Sequence, residues 1–191
     1  MRLTTLLTFT ALSCSLVAGQ AFAYQAGDVY VRAEFAKADI NAEQISRENG
    51  FSLAGGFLFT DWLGVEFGIG EALEYDFALE SGNTGNFDIM PMNLLLQYYP
   101  LGGVADARIQ PFIGVGVNYT RFSSVSDGLS VDSDYGFAGQ LGMDLVITDN
   151  ISATSFVRYT DTDAEFESGG QTVEEVRLDP LTVGAGITYR F

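Results

Sequence analysis

Histidine is absent from the 191 residues, and cysteine occurs once, at Cys14. Without histidine the chain lacks the commonest general base and the usual transition-metal ligand, so a hydrolytic triad of the ordinary kind is excluded. A single cysteine rules out a disulfide framework. Basic residues are also scarce: nine Lys and Arg stand against 25 Asp and Glu, for a formal net charge of -16. Such a chain is repelled by nucleic acid and by anionic lipid surfaces. Strong acidity with little apolar content would mean disorder, but 47% of the residues are hydrophobic, with 15 Phe and 9 Tyr.

The N-terminus carries a segment of its own. Arg2 precedes an apolar run from Leu3 to Ala18, and Ala21-Phe22-Ala23 places small residues where a processing enzyme needs them. This is the pattern of a secretory signal over 1–23, cleaved after Ala23, with a mature domain over 24–191. Its threonines and serines, and a length short of the ~20 residues that span a bilayer, argue against a membrane anchor. Cys14 lies inside the apolar run, a poor position for lipid attachment, and leaves with the leader.

The rest divides into eight strand-like segments, roughly 28–36, 50–60, 63–72, 89–99, 110–122, 135–146, 151–161 and 177–191. In most of them large apolar residues alternate with small or polar ones, the period of a two-faced strand. The last shows it plainly: Leu181, Val183, Ala185, Ile187, Tyr189 and Phe191 take one face, and Thr182, Gly184, Gly186, Thr188 and Arg190 the other. Helical periodicity is missing, and the many glycines inside these segments would weaken helices.

A soluble sandwich and a membrane barrel both have a period of two, with opposite faces turned inward. Three features favour the barrel. Short connections (61–62, 148–150 and about ten residues around 100–109) alternate with long ones near 37–49, 73–88, 123–134 and 162–176, as periplasmic turns alternate with outer loops. Aromatic residues gather at segment ends, including Phe35, Trp62, Tyr98, Tyr99, Tyr119, Phe122, Tyr135, Tyr159, Tyr189 and Phe191, as in interfacial belts. Of the 25 acidic residues, 18 fall in the windows 37–49, 71–88, 123–134 and 161–179 that hold the long connections. Hydrocarbon tolerates no unpaired sheet edge, and eight strands can close on themselves. The expected fold is all-β, an eight-stranded antiparallel transmembrane β-barrel.

The strings "FTDWLGVEFG", "MNLLLQYYP", "PFIGVGVNYTRF", "GFAGQLGMDLVI", "VRYTDTDAEF" and "VRLDPLTVGAGITYRF" resemble, in order and spacing, the outer membrane protein W family of small bacterial barrels. The resemblance implies residence in the outer membrane of a Gram-negative bacterium, among lipid and lipopolysaccharide. It also implies a conduit for small hydrophobic compounds, with a pocket open to the outside and a lateral route into the bilayer. Ile187, Tyr189 and Phe191 would form the C-terminal signal read by the barrel assembly machinery. In "VRYTD", Arg158 stands where related strings often carry an aromatic residue, which implies a more polar passage here.

An eight-stranded barrel is narrow and nearly filled by its own side chains. Large apolar residues on the otherwise small or polar face (Leu58, Leu95, Phe112 and Phe156) are candidates to line the lumen, either as solute contacts or as a plug. Arg32, Arg158 and Arg190 are expected to pair with Glu34, Glu66 or Asp144, because an uncompensated buried charge is costly. Neither a catalytic residue nor a cofactor is expected. "DTDAEFE" lacks the glycine-centred spacing of a calcium loop and reads as a solvated acidic loop, without a defined metal site. Pro180 suits the start of a strand better than its middle. The alternative to transport is a non-conducting barrel whose acidic outer loops serve adhesion, envelope integrity or stress tolerance.

Overall fold

The computed structural model describes residues 24–39, 48–71, 73–78, 84–123, 130–131, 133–168, 171–177 and 180–191. The expected leader, 1–23, lies outside the described residues. Those residues form β1 (Val29–Asp39), β2 (Glu48–Thr60), β3 (Leu63–Gly70), β4 (Leu73–Ala78), β5 (Thr84–Tyr98) and β6 (Ile109–Ser123). There follow β7 (Ser130–Val131), β8 (Asp134–Val146), β9 (Ile151–Thr160), β10 (Asp163–Ser168), β11 (Gln171–Arg177) and β12 (Leu181–Arg190).

Eight of these strands close into one antiparallel ring, in the order β1, β2, β3, β5, β6, β8, β9, β12 and back to β1. Closure joins the first and last strands in unbroken register from Tyr30↔Arg190 to Asp39↔Leu181. The expected eight-stranded antiparallel barrel is therefore the observed fold. Its segments match those read from the sequence, with ends shifted by a few residues.

The burial pattern is that of a membrane barrel. Phe51 and Leu53 are each 63% exposed on the outside, whereas Arg32 is 1% and Asp144 0% exposed inside. A protein in water would reverse this, because hydrated charge and buried hydrocarbon are both favourable there. Rings meet in pairs near both rims: Trp62 with Tyr98 and Tyr189 with Phe191 at the turn end, and Tyr119 with Tyr135 at the other.

Three features depart from the sequence reading. The windows 73–88 and 162–176 are not plain loops, since β4 continues the pairing with β5 and β10 forms a hairpin with β11. The stretch read as a solvated acidic loop is thus largely strand. β12 begins at Leu181, later than 177, and Pro180 directly precedes it, offering its carbonyl to the Thr160 amide at 3.2 Å. Tyr99, assigned to an aromatic belt, instead points inward and is fully buried.

The β2–β3 ladder shifts register between Leu58 and Thr60, and the seam against β5 is also irregular. The β3–β5 ladder runs from Leu63↔Tyr98 to Ile69↔Met92, and pairing resumes at Leu73↔Ile89 between β4 and β5. Pro91 lies on β5 between those two sets of pairs. Proline has no amide proton to give a ladder, so the wall loses a hydrogen bond where it already changes register.

Candidate functional site

The lumen is organised in levels set by the inward side chains of each strand. At the turn end, Tyr24, Tyr30, Leu58, Tyr99, Phe112 and Phe156 form one buried apolar cluster. Inward glycines make room for it. A Cβ on Gly56 would collide with the Tyr30 ring, and one on Gly142 with the Phe112 ring. Tyr24 reaches this cluster from the segment before β1. Its ring lies 4.6 Å from that of Tyr99, and its hydroxyl donates to Asp144 Oδ2 at 2.6 Å. Burial, ahead of the nearby Asp144 carboxylate, pushes the Tyr24 phenol well above its ordinary pKa, so it remains a donor.

Above this cluster lies a network of buried charge. Arg32 Nη1 donates to Glu66 Oε2 at 2.7 Å, and Arg32 Nη2 to Asp144 Oδ2 at 3.2 Å. Arg32 Nε donates to the Thr188 hydroxyl at 2.9 Å. Tyr30 adds its hydroxyl to Glu66 Oε2 at 2.8 Å, and Gln97 its amide to Glu66 Oε1 at 3.0 Å. Arg158 Nη2 donates to Glu34 Oε2 at 3.3 Å, and its Nε to Gln140 Oε1 at 2.6 Å, while its guanidinium lies 4.7 Å from the centre of the Phe156 ring. These bonds tie β1, β3, β5, β8, β9 and β12 together across the barrel.

Of the expected pairings, Arg32 and Arg158 find partners among Glu34, Glu66 and Asp144. Arg190 does not. It pairs with Asp28 at 3.1 Å and donates to the Asp149 carbonyl, because the barrel's stagger carries the last inward position of β12 to the turn-end mouth.

Toward the loop end the lumen changes character. The inward positions Ala36, Ser52, Gly70, Pro91, Gly116, Gly136, Thr182 and Gly184 are small and half-buried. A polar strip runs beside them, with Asn118 donating to Asn93 Oδ1 at 3.1 Å and accepting from Thr120 at 2.6 Å. The lumen is therefore a shallow vestibule with small-residue walls, floored by ion pairs and closed beneath by aromatic rings.

The four lining candidates separate within this scheme. Leu58, Phe112 and Phe156 belong to the apolar cluster, and Leu95 is buried outside it, with its backbone paired to Glu66. Sequence reasoning missed Tyr24, Tyr30 and Tyr99 as members of that cluster, although Tyr30 stood on the polar face of β1 all along. Among the described residues, no group of three acidic or cysteine side chains converges as a metal-holding set.

The sequence matches the OmpW family over residues 24–191. It is 31% identical to outer membrane protein W of Salmonella typhi, covering 96% of this chain and 98% of that one. It is 29% identical to outer membrane protein W of Escherichia coli K12, over 97% and 99%. Among solved structures, it resembles the outer membrane protein OprG of Pseudomonas aeruginosa, with a TM-score of 0.75 at 25% identity over 88% of this chain and 97% of that one. The solution structure of E. coli outer membrane protein W gives a TM-score of 0.67 at 26% identity, over 87% and 99%. With the closed barrel and its lipid-facing apolar surface, these likenesses place the protein in the bacterial outer membrane, and the chain belongs to the OmpW family.

Proposed function

We propose that this barrel admits small apolar compounds from outside the cell and releases them sideways into the hydrocarbon layer of the outer membrane. The observation that carries the reading is the interrupted ladder at Pro91, opposite Gly70 on the wall of the vestibule. A solute that enters the vestibule meets a floor of ion pairs, which an apolar molecule does not cross without losing its favourable surroundings. A break in the wall's hydrogen bonding lies beside it, facing lipid. The small-residue walls give such a solute contact above the buried Leu95. Leu58, Phe112 and Phe156 act below as a plug, and no catalytic step is assigned to any of these residues. Lipid and lipopolysaccharide surround the barrel, and Ile187, Tyr189 and Phe191 serve its insertion.

The test is uptake of a fluorescent apolar compound into liposomes holding the Gly70→Cys, Pro91→Cys double variant. A disulfide across the seam should slow uptake severalfold, and reduction should restore it. Equal uptake in both redox states removes the lateral route. Uptake no faster than with an inert eight-stranded barrel favours the alternative, a non-conducting barrel serving through its acidic outer loops.

A further inference from the structure

The buried charges of the lumen do not sum to zero. Among the described inward residues of the central network, Arg32 and Arg158 face Glu34, Glu66 and Asp144, leaving one negative charge over. Arg190 is matched by Asp28 at the turn-end mouth, while Lys37 and Arg121 lie at outward, exposed positions. Two oxygens of the network lack a hydrogen-bond partner, Glu34 Oε1 and Gln97 Oε1, and only the first belongs to a charged group. Glu34 Oε1 is buried and accepts no hydrogen bond. The nearest ion-pair nitrogen, Arg32 Nη1, is 3.8 Å away and is already committed to Glu66 at 2.7 Å. The other oxygen, Oε2, is satisfied by Ser52 at 2.8 Å and by Arg158. A buried carboxylate oxygen without a partner is rare in folded proteins and points to a bound water or ion. Here the surplus charge makes it an ion.

We infer that Glu34 Oε1 binds one monovalent cationic group at the floor of the vestibule. Its position suits entry from the loop end. Glu34 is the inward residue one level above Arg32, and the inward positions around and above it are Ser52, Gly70, Ala36 and Gly184, all half-buried and small. One free carboxylate oxygen beneath half-buried small residues is a hard oxygen donor, the type an alkali ion or an ammonium group takes. Among the described residues no three carboxylates converge, which argues against a divalent ion, since that takes several charged oxygens. An alkali-metal ion and the ammonium group of a small amine share the chemistry required. The inference is independent of the lateral route: a cation at Glu34 neither requires nor excludes transport.

Rubidium serves as the probe, because its anomalous scattering marks a monovalent site directly. Crystals of the processed barrel soaked in rubidium chloride should show an anomalous peak in contact with Glu34 Oε1. Glu34→Gln keeps the side-chain shape and removes the surplus charge, so it should lose the peak. Methylammonium added in excess distinguishes the two sources. Displacement of rubidium shows that the site accepts an amine, and persistence supports the narrower site for alkali ions. Absence of the peak in the parent protein, or its survival in Glu34→Gln, overturns the inference. The parent measurement decides even if the variant fails to assemble.

Discussion

Arg32 and Glu66, 34 residues apart in the chain, meet through a 2.7 Å hydrogen bond with both side chains shut off from water. The pair lies at the centre of the lumen and joins β1 to β3, strands that are not neighbours in the ring. Replacing Arg32 with Met leaves two carboxylates uncompensated, which should destabilise the barrel by about 3–5 kcal/mol. Adding Glu66→Gln and Asp144→Asn should recover most of that loss. Urea unfolding in lipid vesicles measures both, and a single variant as stable as the parent would refute the assignment.

Gly142 gives a second test, because the Phe112 ring occupies the space its side chain would fill. Gly142→Val should lower stability by about 1–3 kcal/mol through overpacking. Gly139 faces outward, and a Cβ there would meet Phe137 at an ordinary 3.5 Å. Gly139→Val should therefore be nearly neutral in the same unfolding assay.

Orientation toward lipid can be measured at Val115, which is 48% exposed midway along β6 and paired with Leu96 and Gly139. Val115→Lys should cost about 2–4 kcal/mol when the protein folds into vesicles. A negligible effect would mean that this face does not meet hydrocarbon.

Phe191 is 71% exposed, held by its amide to the Val29 carbonyl at 2.9 Å and by an edge contact with Tyr189. Removing it takes little from the packed barrel. We expect deletion to leave refolding in vesicles nearly unchanged while lowering the assembled fraction in cells severalfold, read from heat-modifiable migration on gels. Equal losses in both settings would make the residue structural.

Much of the fold could be read from the sequence because alternation records which way each strand faces, and hydrocarbon enforces that alternation strictly. The placement of Leu58, Leu95, Phe112 and Phe156 inside followed from the same rule. Pairing across the lumen did not, since it depends on the stagger of the ring, a property of the whole sheet. Arg190 illustrates the gap: its type and face were evident, but its level was not, and it met Asp28 instead of the central carboxylates. The β10–β11 hairpin was hidden by its acidic residues, which favour solvent in a loop and on a strand alike. Tyr24 was obscured by its position outside any alternating segment.

The ring closes between β1 and β12, the earliest and latest strands of the barrel, so its last ladder brings together residues about 150 apart in sequence. No partial chain can complete that circuit. A polypeptide interrupted before Leu181 would present bare amides along both β1 and β9, a surface ready to recruit other extended chains. Assembly is consequently all-or-nothing with respect to the ten residues of β12, and a chaperone in transit must shield two complementary edges until they can find each other.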